Sequence, residues 1–368
     1  MQTRRTLGSM KPYVAGERRA NTLKLSSNEN PLGPSPRAIE AITRALEENH
    51  IYPDGSLRAL KDAIARRRDA DPGMIVPGNG SDEVMTMIAG TYFNPGDRVI
   101  IGEHTFSQYA FAARLFDAEI TRVPMPDLNL TVPGILSAID AEPDRPPRAI
   151  FLCTPNNPTG IAWSHTDLLY LLDSIPEETL LIVDHAYQEY VESETVADAT
   201  AIVEDHPNLI ALHTFSKIYG LAAGRVGYGV AVPERIAEIE RVRLPFNVNG
   251  LAQAGAIAAL DDYEFVERSL ETNRRGKERM RRLLADHDYD ALPSEANFLC
   301  FRVDCDAKEA AEVFATEGVT VRALNSFGLP DHIRVTIGTD PQIDVFERGL
   351  QALSDLKRAP MQAAPTGD

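Results

Sequence analysis

Between about residues 74 and 231, short β-branched apolar runs alternate with stretches in which apolar residues recur at helical spacing. A strand of a parallel sheet is covered on both faces and reads as a continuous apolar run, so strands are predicted at 74–76, 98–101, 120–123, 149–153, 180–183, 209–212 and 226–230. Helix starts between them carry capping residues: Ser81 before DEVMTMIAG, and Ser164, with Asp167 three positions on, before LLYLL. Strand and helix in regular alternation predict an α/β domain with a mostly parallel sheet flanked by helices.

The pattern changes after about residue 232. Helical spacing dominates 234–284, including ETNRRGKERMRRLL, whose basic residues read as a solvated face. Two strand runs then return, FLCFRV at 298–303 and HIRVTIG at 332–338, with the helical KEAAEVFATEG between them and DPQIDVFERGLQALSDL after them. This is a smaller α+β unit. The opening segment to about Asn30 has little periodicity, and the closing APMQAAPTGD reads as a frayed tail. The expected division is a large α/β domain at 30–245 and a small α+β domain assembled from 1–29 and 246–368.

Composition narrows the function. Among 368 residues, 37 Lys and Arg against 54 Asp and Glu leave a net charge of −17, which repels nucleic acid and anionic lipid. No apolar stretch is long enough to span a membrane, and MQTRRTLGSMKPYVAGERRA has no apolar block of a secretory signal, so a cytoplasmic protein is expected. Cys153, Cys300 and Cys305 are scattered, without CxxC or nearby His, and are expected as small buried hydrophobes rather than a disulfide or zinc framework.

No GxGxxG follows the first strand, which removes the main support for a dinucleotide site. Instead, short polar strings stand at strand ends, where open α/β sheets bind ligands: NGSDE at 79–83, TPNNPTG at 154–160, DHAY at 184–187, TFSK at 214–217 and GLAAGRVGY at 220–228. Singly they admit ordinary readings: a capped turn at Gly80 and Ser81, a turn-rich loop at PNNPTG, a surface charge at Lys217, a structural ion pair at Arg225. Asp184 is sharper, because a carboxylate at the mouth of the buried run LLIV requires a cation or several donors. Together they offer an amine nucleophile, a carboxylate for a protonated ring nitrogen, Tyr and Asn donors, and a helix start with Ser, Thr and Arg for a phosphate. These are the fittings of pyridoxal 5'-phosphate (PLP).

Their order and spacing resemble the fold type I PLP-dependent aminotransferases, and among them the histidinol-phosphate aminotransferases. The resemblance runs from about Leu25 to Leu356, through SSNENPLGPSP, IYPDGS, the strings above, SEANFL and HIRVTIGT. It implies that Lys217 holds the cofactor covalently and later moves a proton, that Asp184 pairs with the pyridine nitrogen, and that Tyr187 and Asn157 donate to the ring 3'-oxygen. Phe106 falls where the family stacks an aromatic on the ring. The phosphate cup implied is Gly80, Ser81, Thr214, Ser216 and Arg225, completed in a homodimer by Tyr52 of the other subunit. Arg334 matches the arginine that binds the substrate carboxylate and Arg322 a second anion-binding arginine, while Asn30 and Asn297 fall in segments that close over the substrate.

Two positions depart from the family pattern. DHAY replaces the usual DEAY, and strand alternation turns His185 away from the side of Asp184, as a surface or packing residue. Leu32 stands where some relatives carry a tyrosine able to bond a substrate phosphate. The reaction implied is histidinol phosphate plus 2-oxoglutarate giving imidazole acetol phosphate plus glutamate. An aromatic amino acid aminotransferase and a threonine-phosphate decarboxylase on the same scaffold are the rivals.

Overall fold

The computed structural model describes residues 2–10, 12 and 19–358; the closing APMQAAPTGD lies outside them. Twelve strands follow in chain order among the described residues: β1 (Leu23–Lys24), β2 (Ile75–Gly78), β3 (Arg98–Gly102), β4 (Glu119–Val123), β5 (Ala149–Cys153), β6 (Leu180–Asp184), β7 (Leu209–Thr214), β8 (Gly227–Val230), β9 (Phe298–Arg302), β10 (Val319–Thr320), β11 (Arg322–Ala323) and β12 (His332–Thr336). Every strand expected in the larger unit is present, with ends displaced by at most two residues. Two-residue strands β1, β10 and β11 are too short to leave a periodic signal; partners distant in sequence create them.

The seven-stranded sheet has the order β2-β8-β7-β6-β5-β3-β4. All of its pairings are parallel except those of β8, which runs against both β7 and β2. Strands β2, β3 and β5 to β8 are buried throughout, as their unbroken apolar runs require, and helices cover both faces. Chain order reverses between β3 and β5, the kind of switch point at which open α/β sheets bind ligands outside the carboxyl ends of their strands. The reversal of β8 brings its start, pairing Gly227 with Thr214 and Gly78, to the same edge. Gly227 is required by close approach: a Cβ there would lie 2.5 Å from the Ser81 nitrogen and 2.8 Å from the His213 carbonyl oxygen.

A second core gathers Leu25, Met280, Phe301, Phe314 and Phe346 around the antiparallel sheet β11-β12-β9 and the β1-β10 pair. The expected boundary at residue 245 falls before the helix Gly250–Leu260, whose Ala252, Ala256, Ala259 and Leu260 pack into the larger core. Cys153 and Cys300 are buried, whereas Cys305 is half-buried at the rim of the second core. No helix among the described residues is long and apolar enough to cross a membrane.

One local expectation is corrected and another is narrowed. Ser164 caps its helix, accepting from the Asp167 nitrogen at 3.1 Å, but Ser81 is the first helical residue rather than a cap. The cap is Gly80, at φ +80° and with no side chain to close the helix end, so the amides of that turn stay available to a ligand. His185 is a packing residue and not a surface one. Its Nδ1 meets the Thr154 carbonyl oxygen at 2.9 Å, and its Nε2 accepts from the Ala199 nitrogen at 2.9 Å. Burial lowers its pKa, so the ring is a neutral brace.

Candidate active site

Asp184 ends β6 with 3% of its surface exposed. Its Oδ2 accepts from the Tyr109 hydroxyl at 2.7 Å and its Oδ1 from the Ala186 nitrogen at 3.0 Å. Among the described residues it has no ion-pair partner within salt-bridge distance. Burial pushes its pKa up to about 6, against the pull of these hydrogen bonds and of Lys217. Such a carboxylate suits a cationic ligand group that would supply the missing charge.

Lys217 follows β7, and its Nζ donates to the Ser27 carbonyl oxygen at 3.1 Å while lying 5.7 Å from the centre of the Tyr187 ring. Burial, then the positive charge of Arg334 and of Arg225, pushes its pKa down to about 8, with Glu29 and Asp82 pulling the other way. At pH 7 about one amine in ten is therefore unprotonated, the form that attacks a carbonyl.

Beside it lies an anion cradle. The Thr214 hydroxyl donates to Ser216 Oγ at 3.0 Å, and Arg225 Nη1 reaches the same oxygen at 3.4 Å. Arg225 Nη2 pairs with Asp82 Oδ2 at 3.2 Å in the first turn of the helix Ser81–Tyr92. A Cβ on Gly80 would stand 2.4 Å from that Nη2, so only glycine lets the guanidinium lie against the helix N-terminus. Hydroxyls, a guanidinium and helix amides are the donor set a phosphate requires.

Toward β12, Arg334 is 6% exposed; its Nη1 donates to Asn157 Oδ1 and its Nη2 to the Ser26 carbonyl oxygen at 2.8 Å. Asn157 is thereby oriented with its amide NH₂ toward other partners. The Tyr187 oxygen accepts from Asn28 Nδ2 at 2.8 Å, which leaves its O–H to donate. Asn157 and Tyr187 thus each keep a hydrogen free to donate. Register pairs Arg334 directly with Arg322 across β12 and β11, so both guanidinium groups leave the same face. Like charges placed opposite are unfavourable unless an anion joins them.

The remaining expected residues occupy varied positions. Phe106 caps the helix Ser107–Leu115, half-buried and edge-on to Tyr109, with ring centres 5.7 Å apart. Asn30 turns its amide to the Ile218 carbonyl oxygen at 2.8 Å and to Ser269 Oγ at 2.9 Å, bracing the loop after Lys217. Asn297 donates to the Asn28 carbonyl oxygen at 3.0 Å. Leu32 is 38% exposed. Tyr52 is 80% exposed, stacks on Phe246 at 4.7 Å, and shares none of the contacts above. Sequence reasoning missed Tyr109, Asp82 and Asn28, whose backbone nitrogen also donates to Thr336 Oγ1 at 2.9 Å. Tyr109 alone had a legible signal, three positions beyond Phe106 on the same helical face.

The model of the class I and II aminotransferases matches residues 20–350. A histidinol-phosphate aminotransferase of Symbiobacterium thermophilum is 42% identical over 93% of this chain and 96% of its own length. Another, of Moorella thermoacetica, is 40% identical over 95% and 92%. Among solved structures, the Sinorhizobium meliloti histidinol-phosphate aminotransferase in complex with pyridoxal-5'-phosphate superimposes with a TM-score of 0.87 at 26% identity, covering 96% of this chain and 98% of its own. With the lysine, the buried carboxylate and the anion cradle at the ends of neighbouring strands of one sheet, and a match along nearly the whole chain, this protein belongs to the class I and II aminotransferases.

Proposed function

We propose that the enzyme uses PLP to transfer an amino group from histidinol phosphate to 2-oxoglutarate. Bound PLP supplies an aldehyde carbon that condenses with amines and a protonated ring that withdraws electrons from the bonds beside them. The observation that carries this reading is the Lys217 amine just past the carboxyl end of β7, beside β6, where the buried Asp184 carboxylate has no ion pair within salt-bridge distance among the described residues.

Each side chain then has a defined task. Asp184 holds a proton on the ring nitrogen. Asn157 and Tyr187 donate to the ring oxygen, Phe106 covers one ring face, and Gly80, Ser81, Thr214, Ser216 and Arg225 hold the phosphate. Lys217 binds the cofactor covalently and, once displaced, carries the proton between the substrate α-carbon and the cofactor carbon beside the ring. Arg334 and Arg322 bind the substrate anion, the phosphate of the first substrate or a carboxylate of the second, and guanidinium geometry suits both. Asn30 and Asn297 hold the segments that close over the substrate.

The working unit in this reading is a cytoplasmic homodimer in which Tyr52 of the partner subunit completes the phosphate cup. In support, Ile51, Tyr52, Leu244 and Phe246 form exposed apolar surface around the Tyr52–Phe246 stack. The small domain is taken as 1–29 and 246–368, with the helix Gly250–Leu260 anchored in the larger core.

Comparing kcat/KM for histidinol phosphate, phenylalanine, tyrosine and threonine phosphate with 2-oxoglutarate as acceptor tests the substrate. Histidinol phosphate is expected to be the best donor. Leu32, which cannot hydrogen-bond a phosphate, favours the aromatic rival, and equal or better use of phenylalanine or tyrosine would establish it. Carbon dioxide released from threonine phosphate without 2-oxoglutarate would establish the decarboxylase.

A further inference from the structure

Tyr109 has no place in the tasks above, yet it touches two of the side chains that carry them. It is fully buried on the helix Ser107–Leu115. Its hydroxyl donates to Asp184 Oδ2 at 2.7 Å, its ring stacks on Phe151 at 4.9 Å and 10°, and its edge meets Phe106 at 5.7 Å and 81°. We propose that Tyr109 is a positioning residue that fixes the Asp184 carboxylate and the Phe106 ring together, so that one side chain sets both the polar and the aromatic contact to the bound cofactor ring. The proposal rests on the PLP reading and deepens it.

The surroundings of Asp184 leave this role to few other groups. On β5 its register partner is Cys153, whose thiol burial keeps protonated. On β7 the partner is apolar Leu212. Lys217 and Asp82 act on it with opposite charge, and the neighbouring Ala186 nitrogen holds only Oδ1. The Tyr109 hydroxyl is therefore the one side-chain donor to the carboxylate among the described residues. Burial raises the Tyr109 pKa, so the hydroxyl keeps its proton and remains a donor. Removing it leaves Oδ2 buried with one bond fewer, which disfavours the ionised carboxyl and weakens its hold on a cationic ring nitrogen.

Tyr109→Phe retains the ring and both aromatic contacts and deletes only the donor. In the holoenzyme the cofactor is expected to dissociate about tenfold faster, equivalent to about 1.4 kcal/mol. The pH midpoint of the cofactor's visible absorbance should move upward, because a ring nitrogen that loses its proton no longer repels a proton on the lysine-linked nitrogen. Turnover should fall with little change in KM. A merely structural residue would lower the melting temperature without moving the absorbance midpoint. An unchanged midpoint with unchanged release would overturn the proposal. The second measurement uses an Asp184→Asn background: there Tyr109→Phe should add no further midpoint shift, and an undiminished shift would also overturn it. Borohydride reduction and peptide mapping of the same wild-type sample separate the two levels. A label on Lys217 supports the PLP reading independently of Tyr109, whereas no label would overturn that reading and this proposal with it.

Discussion

Replacing Gly80 by alanine tests the phosphate cup at its tightest point. Gly80 sits at φ +80° and ψ 165°, a region open essentially to glycine alone, where another residue costs about 1 to 3 kcal/mol. The added Cβ would also lie 2.4 Å from Arg225 Nη2 and 3.1 Å from Cζ, closer than non-bonded atoms tolerate. The guanidinium is tethered to Asp82, Ser216 and the Ala222 carbonyl oxygen, and its own residue is held at φ +55°. Relief therefore moves it out of the cradle. Losing one charge-assisted hydrogen bond to a phosphate costs about 1.5 to 3 kcal/mol, a rise in cofactor Kd of roughly 10- to 150-fold. PLP titration of the apoenzyme, followed by absorbance, measures this. Gly96→Ala is the control, because Gly96 has φ +84° and nothing within 4 Å of its Cβ. It should lower the melting temperature and leave Kd unchanged. A Gly80→Ala enzyme that binds PLP like the wild type, or like the Gly96→Ala control, would refute the reasoning.

Mixing inactive Lys217→Ala and Tyr52→Phe subunits should restore part of the activity, since a hybrid dimer holds one site with both residues intact; no recovery despite demonstrated subunit exchange would remove Tyr52 from the partner's site. Arg334→Ala is expected to impair both half-reactions by at least about tenfold, as loss of a charged hydrogen bond predicts. Arg322→Ala should depress kcat/KM for histidinol phosphate more than for phenylalanine, and equal losses would contradict a phosphate role. With the Lys217 pKa at about 8, below the ordinary 10.5, the neutral amine grows as pH rises through that value. Cofactor loading of the apoenzyme should accelerate from pH 6.5 to 8.5 and then level, and a midpoint near 10 would show that burial does not act on this amine.

The inner strands of the large sheet were legible because burial on both faces demands unbroken apolar runs, and 149–153 agrees residue for residue. Ser164 and Asp167 announced a helix start through bonds that span three residues. Asp184 could be singled out because a charge at the end of the apolar run LLIV is costly unless it has a partner, whereas Lys217 and Arg225 gained meaning only in company with the other strings. Local spacing and composition suffice for such features, since the interactions that enforce them lie within one or two turns of chain.

Everything that assembles those residues is non-local, and only the tertiary structure decides it. The antiparallel course of β8 brings Arg225 against Gly80, and nothing within GLAAGRVGY specifies that direction. The cross-strand pairing of Arg322 with Arg334 depends on the register of a two-residue strand. Asn28 meets Tyr187, and Tyr109 meets Asp184, across long intervals of sequence. His185 is a buried brace because Thr154 and Ala199 close on its two nitrogens. The same holds for charge: the shifts of Lys217 and Asp184 come first from lost water and then from distant side chains. Periodicity reports which face of an element leaves water, whereas these contacts and pKa values depend on which other element arrives there.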